Sequence, residues 1–142
     1  MYFTTRSGLY VWGEFTERIL AVAKPAVALV RTLKHYDLPE NMNDAEIRVE
    51  LGEDHVFEDA SEFCATLAGM IDIQSGGKAG RLLNNGRANI FYVRGTGGEV
   101  FAVRALWSSD DREWDVDAFR LDDYRWRAGY RAFSATAGAQ AS

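Results

Sequence analysis

The chain has one cysteine, two histidines and two prolines among its 142 residues, and each scarcity excludes something. A lone Cys64 rules out an intramolecular disulfide and any Cys-rich metal knuckle. Neither is needed, because a domain of ~140 residues already hides roughly two thirds of the surface its unfolded chain would expose. The thiol-poor composition fits a reducing compartment. Long hydrophobic runs are missing as well. The most apolar stretch, residues 19–30, is interrupted by Lys24 and Pro25, and it falls short of the ~20 residues a membrane span requires. Met1 to Gly8 lack the basic segment and apolar run of a signal peptide. A cytoplasmic protein with no membrane segment is the expectation.

Positive charge is also in deficit. Lys and Arg total 16 against 21 Asp and Glu, giving a net charge of −5. Broad, sequence-independent nucleic-acid binding draws its affinity from cations that displace phosphate counterions, so the balance argues against it. What is present is an ordinary globular composition, 47% hydrophobic and 26% charged, which excludes a disordered chain. We expect one α+β domain over residues 1–133. The small, polar residues 134–142 are expected to form a frayed tail.

Periodicity supplies the elements. Leu9–Trp12 reads as a short strand closed by Gly13. Phe15, Ile19, Val22, Ala23, Ala26, Val27, Val30 and Leu33 then recur at helical steps, so the spacing predicts a long helix ending near His35, kinked or divided at Pro25. Residues 37–44 read as a loop. Across Ala45–Leu51, Ile47, Val49 and Leu51 alternate with Glu46, Arg48 and Glu50, which predicts a half-buried strand. Asp59 and Glu62 suggest a capping box opening a second helix, with Phe63, Leu67, Met70 and Ile71 as its buried stripe. After the glycine-rich 76–80, the remainder reads as a meander of strands at 89–94, 99–107, 114–121 and 124–133, turning at Gly95–Gly98 and Asp122–Asp123. The fold class that follows is α+β, an antiparallel sheet of four to six strands with two helices on one face.

No catalytic or metal-ligating constellation accompanies these elements, and no cofactor is expected. His35 sits at an expected helix end, where a cation is favoured by the dipole. His55 lies among carboxylates without ligand spacing. Cys64 lies beside the buried stripe of its helix, where a free thiol behaves as a core residue. Ser75-Gly76-Gly77-Lys78-Ala79-Gly80-Arg81 has the composition of an anion-binding nest but neither the Walker spacing nor GxGxxG, and reads as a mobile connection.

The most distinctive segment is Tyr124-Arg125-Trp126-Arg127-Ala128-Gly129-Tyr130-Arg131. Arginines interleaved with aromatics resemble the chemistry of single-strand binders. A continuous strand would nevertheless put Tyr124, Trp126 and Tyr130 on one face and Arg125, Arg127 and Arg131 on the other, where they could pair across strands with Asp115 and Asp117. Acidic pairs such as Asp110-Asp111 suggest either ordinary turns or a surface imitating a phosphate backbone.

Face counting gives the strongest expectation. Phe101, Val103, Ala105 and Trp107 oppose Val100, Ala102 and Leu106 on one strand, interrupted only by Arg104. Phe91 and Val93 oppose Ile90 and Tyr92 on its neighbour. A sheet apolar on both faces needs a second cover, which could be a curl of the sheet, the first strand, a second copy or a partner. The expected interface residues are Trp107, Trp114, Trp126, Tyr124, Tyr130, Arg125, Arg127, Asp110 and Asp111. The function expected is that of a small acidic, non-enzymatic protein-binding domain, partnered by another protein or by itself. One form would be a phage or mobile-element inhibitor of a host nucleic-acid-handling or defence complex. The alternatives are a pocket between sheet and long helix, drawing on His55, Glu58, Cys64 and Lys78, and a nucleic-acid module using Arg125, Arg127, Arg131 and Lys78.

Overall fold

The computed structural model describes residue 3, residues 5–25 and residues 31–137. The chain runs through β1 (Leu9–Val11), α1 (Gly13–Arg18), a 3-10 turn (Leu20–Val22), β2 (Leu33–Asp37), β3 (Met42–Asn43), α2 (Asp44–Leu51) and α3 (Ala60–Ile73). It then forms β4 (Asn89–Arg94), β5 (Val100–Ser108), β6 (Glu113–Arg120), β7 (Arg125–Trp126) and β8 (Arg131–Ala137). Six strands make one sheet in the order β1-β6-β5-β4-β8-β2, and β3 pairs with β7 as a separate two-stranded ribbon. The α+β class and the first three strands of the meander agree with the sequence, whereas the expected last strand, 124–133, is broken into β7 and β8, which belong to different sheets. The purely antiparallel sheet does not agree either: β1 runs parallel to β6, and β4 parallel to β8. The turn after β7 explains the second case, because it carries the chain across to the far side of β4 instead of back along β6.

Two elements change identity. Residues 45–51 are helical, not extended. Asn43 caps the helix by accepting from the Glu46 amide at 2.9 Å, while the Glu46 carboxylate accepts from the Asn43 amide at 2.9 Å. Two otherwise orphaned donors are satisfied by that box. The apparent alternation is a helical one: Asp44, Ile47 and Leu51 are buried at steps of three and four, and Val49 is 77% exposed. Among the described residues the expected long helix is not continuous either. It stops at Arg18, and Leu33–Asp37 is an edge strand held by β8, with His35 opposite Phe133 and Asp37 opposite Arg131. The Arg131 guanidinium meets the Asp37 carboxylate at 2.6 Å and 3.1 Å. Tertiary pairing has overridden a weak helical period there. The expected stripe residues Ala26, Val27 and Val30 lie outside the described residues, as does 138–142 of the expected tail. Ser134–Ala137 is strand.

The sheet is apolar on both faces, as its sequence requires. One core joins Phe91, Val93, Phe101, Val103, Trp114 and Phe133 to Phe15, Ile19 and the α3 residues Phe63 and Leu67. The second joins Ile90, Tyr92, Val100, Ala102 and Ala132 to Leu38, Met42, Ile47, Leu51 and Trp126. Thus α2 and the β3–β7 ribbon supply the second cover from within the chain. The β1 edge is closed as well. Leu9 exchanges both backbone hydrogen bonds with Arg6 at 2.9 Å, and the Val11 amide donates to Thr5 Oγ1 at 2.9 Å. Capped edges of this kind resist strand addition.

If 45–51 is a helix, truncation should be costly at position 47 and cheap at 49. Ile47→Ala should lose about 3 kcal/mol of unfolding free energy by denaturant titration, and Val49→Ala should stay within about 0.5 kcal/mol. Equal losses at both positions would restore the strand.

Candidate functional site: an arginine and aromatic cavity

The tryptophans proposed for a partner surface are largely interior. Trp114 is completely buried and donates its indole N–H to the Gln74 carbonyl at 3.2 Å. Trp126 is 2% exposed and donates to Asp44 Oδ1 at 2.7 Å. Trp107 is half-buried, meets Trp114 edge-on at 5.4 Å, and is covered by Gly77 so closely that a Cβ there would fall on its ring. Trp114 and Trp126 are thus core side chains, whereas Trp107 is only partly buried. Asp110 and Asp111 are exposed on the β5–β6 turn, where Asp111 pairs with the Ser108 hydroxyl at 3.2 Å.

The other four residues of that set do come together, with Trp126 as the fifth. Tyr124, Arg125, Trp126, Arg127 and Tyr130 line one cavity of about 280 Å³, with Arg104 and Leu106 of β5 completing it. A continuous strand would have separated arginines from rings, but the chain leaves extended geometry after Trp126. Gly129 adopts φ 89°, a left-handed conformation that favours glycine. Its amide donates to the Leu38 carbonyl at 2.8 Å, and the Ala128 amide to Asn41 Oδ1 at 2.9 Å. The opposing Asp–Arg pairing falls with the continuous strand. Asp117 faces Arg104 across β5 and β6, and Arg131 goes to Asp37.

A buried carboxylate fixes this wall. Asp44, 1% exposed at the start of α2, accepts from Trp126 Nε1, from the Tyr92 hydroxyl and from the Asp122 amide, each at 2.7 Å. The Tyr92 hydroxyl is held far above its ordinary range, by burial first and by the adjacent Asp44 charge second. Trp126 in turn seats Tyr124, centroids 4.9 Å apart, and Tyr130, 6.3 Å apart. Phe119 supports Tyr124 from the sheet at 4.7 Å. The rings are therefore packed in place while Tyr124 stays 42% exposed.

The three guanidinia differ in their ties. Arg125 donates to the Asn41 carbonyl at 3.2 Å and lies 3.8 Å from Glu46. Arg127 has no guanidinium hydrogen bond or ion pair among the described residues. Arg104 stacks over Phe119 at 5.1 Å, and its Nε has no hydrogen-bond partner among the described residues. Its charge is opposed by carboxylates on β6. Burial, then Glu113, raises the Asp115 carboxyl to about 6, and burial also raises Asp117.

The remaining candidates are engaged elsewhere. His55 donates from Nδ1 to the Gly52 carbonyl at 2.6 Å, leaving Nε2 to accept from Arg48 Nε at 3.0 Å. Both nitrogens are occupied, and burial lowers its pKa. His35 is lowered for the same first reason. Burial pushes the Cys64 thiol up to about 12, which removes its nucleophilic form at neutral pH. Glu58 pairs with Arg94 at 2.6 Å, while Lys78 is exposed on its loop. That glycine-rich loop is closed on itself: the Gly77 and Lys78 amides donate to the Gln74 carbonyl, and the Gln74 amide bridges Lys78 and Leu82. Among the described residues no group of three or more His, Cys, Asp or Glu is placed to hold a metal. Sequence reading missed Asp44, assigned to a loop, and Arg104, whose only signal was a charge interrupting an apolar strand.

Asp44→Ala should strand two buried donors, Tyr92 and Trp126, and a part-buried amide, and cost about 3 kcal/mol or more, read by denaturant titration alongside Trp fluorescence. A loss below about 1 kcal/mol would contradict the anchoring role. The histidines and Asp115 act on stability in opposite directions. His35 and His55 resist protonation in the fold, so their contribution is complete above 6.5 and is lost as pH falls below it. Asp115 resists deprotonation, so its contribution is complete below 3.8 and is lost as pH rises through about 6. Unfolding midpoints from pH 4 to 7.5 should therefore rise more steeply with pH in Asp115→Asn and less steeply in His55→Gln than in the parent. Parallel profiles would contradict both assignments. No family model matches this sequence, and no curated protein or solved structure is detectably similar to it.

Proposed function

We propose that this chain is a non-enzymatic binding domain that takes an anionic group in the cavity of Arg104, Arg125 and Arg127. The observation that carries the reading is the convergence of three arginines on one small concavity of a chain whose net charge is −5. Guanidinia suit phosphate and carboxylate because their donors form a planar fork. Arg127 brings a fork unengaged among the described residues, and Arg104 brings a charge held near the sheet. The cavity lies just below the ~300–1,000 Å³ range of small-molecule sites. A ligand entering it is therefore small, or presents one residue of something larger.

Sulfate is the simplest probe, since it keeps its charge from pH 5 to 8. Titration followed by intrinsic fluorescence should give saturable binding that weakens at least tenfold in Arg125→Ala/Arg127→Ala. Both side chains are exposed, so the melting transition should barely move. Asp115 lies diagonally across from Arg104, and its protonation relieves competition for that charge. Sulfate should thus bind more tightly at pH 5.5 than at 7.5. Unchanged affinity in the double variant would overturn the reading.

A second reading keeps protein docking but moves it to the β1 edge of the sheet. Tyr10 and Trp12 are 38% and 39% exposed, with rings 5.0 Å apart. Tyr10 lies opposite Asp115 on β6. Rings beside a carboxylate suit a lysine- or arginine-bearing partner. A tetralysine peptide should quench fluorescence in the parent and not in Trp12→Ala; identical quenching would remove this reading.

A further inference from the structure

We propose that the anion taken by the cavity is the phosphate of a nucleotide, whose base stacks on Tyr124 and Tyr130. This rests on the anion-binding reading above and adds the part of the ligand that the arginines do not explain. Three guanidinia would suffice for a bare anion in a polar cleft. Here the same concavity is walled by Tyr124, Trp126 and Tyr130, so three of its seven lining side chains are aromatic.

The rings are built as a platform. Trp126 is locked by its hydrogen bond to Asp44. Tyr124 is gripped by Phe119 and Trp126, tilted 56° and 61° to them, and remains 42% exposed. A pre-packed, half-exposed ring offers area for a flat group at little cost in side-chain entropy. Arg125 and Arg127, which follow Tyr124 in the same segment, line the same concavity with charge. Alternation of ring and guanidinium along a short segment matches the alternation of base and phosphate, and arginine can itself stack on a base plane.

The size of the cavity restricts the ligand to one nucleotide unit. That unit is either free or an unstacked residue of a single strand; the chemistry is shared, and the two sources separate on length. An acidic peptide would satisfy the arginines but make no use of the rings.

The test compares adenosine monophosphate, uridine monophosphate, ribose 5-phosphate, sulfate, hexaadenylate and hexaglutamate on the intact chain by isothermal titration and fluorescence. The nucleotides should bind about tenfold or more tightly than ribose 5-phosphate, the increment expected from one base–aromatic stack. Tyr124→Ala should abolish that difference, bringing the nucleotides down to the affinity of ribose 5-phosphate. Hexaadenylate binding more tightly than the mononucleotide would place the unit in a strand, and weaker or equal binding would make it a free nucleotide; both support the stack. Equal affinity for ribose 5-phosphate and the nucleotides overturns the base-stacking inference and leaves the anion site standing, as does hexaglutamate matching adenosine monophosphate. Failure of every anion, sulfate included, overturns both. The comparison among ligands uses the unmutated protein, so the outcome does not depend on how any variant folds.

Discussion

The buried carboxylate of Asp44 is the interaction on which the second half of the structure depends. It sits at the first position of α2 and receives the Tyr92 hydroxyl from β4, the Trp126 indole from β7 and the Asp122 amide from the turn between β6 and β7. A buried carboxylate is tolerated only when hydrogen bonds replace its hydration, and three donors meet that condition. In return it joins helix, sheet and ribbon at one point. Ile47 and Leu51 then pack on the sheet face that β4 and β5 present, while Arg48, one turn on, holds the His55 ring against Tyr92, 5.8 Å away.

The cavity follows from that joint. Trp126 could have belonged to a long strand continuing into β8. Pinned to Asp44, it ends β7 after two residues, and the following segment turns at Gly129 under hydrogen bonds to Asn41 and Leu38. The turn carries β8 across to pair with β4 and β2. It also brings both sets of side chains of an alternating segment onto one concavity over Arg104. The parallel β4–β8 pairing and the arginine–aromatic juxtaposition are therefore two results of a single break.

Much of this was legible in the sequence where short range decides. β4 coincides with its apolar run, α3 begins after Asp59, and both faces of β5 were readable from alternation. The errors lie where tertiary partners decide. Ile47, Val49 and Leu51 fit a strand by period two, while Ile47 and Leu51 alone fit a helix by a step of four, and the capping residues Asn43 and Glu46 settle the matter for the helix. Reading α2 as a strand removed the natural cover of the second face and created an apparent need for a partner. Leu33–Asp37 lacks a strong pattern of its own and is strand because β8 is beside it. Tyr124, Arg125, Trp126, Arg127 and Tyr130 stood out by composition alone. Their convergence was hidden because it depends on Asp44 and Asn41, some eighty residues earlier in the chain.

The most direct test of this account is a proton–nitrogen correlation spectrum of the tryptophan indole and arginine Nε–H groups during titration with adenosine monophosphate. Saturable shifts of Arg104, Arg125, Arg127 and Trp126, with Trp114 unmoved, are the result the structure predicts. Shifts confined to Arg6 and Arg112, which line a separate cleft beside Trp114, or no shift at all, would contradict it.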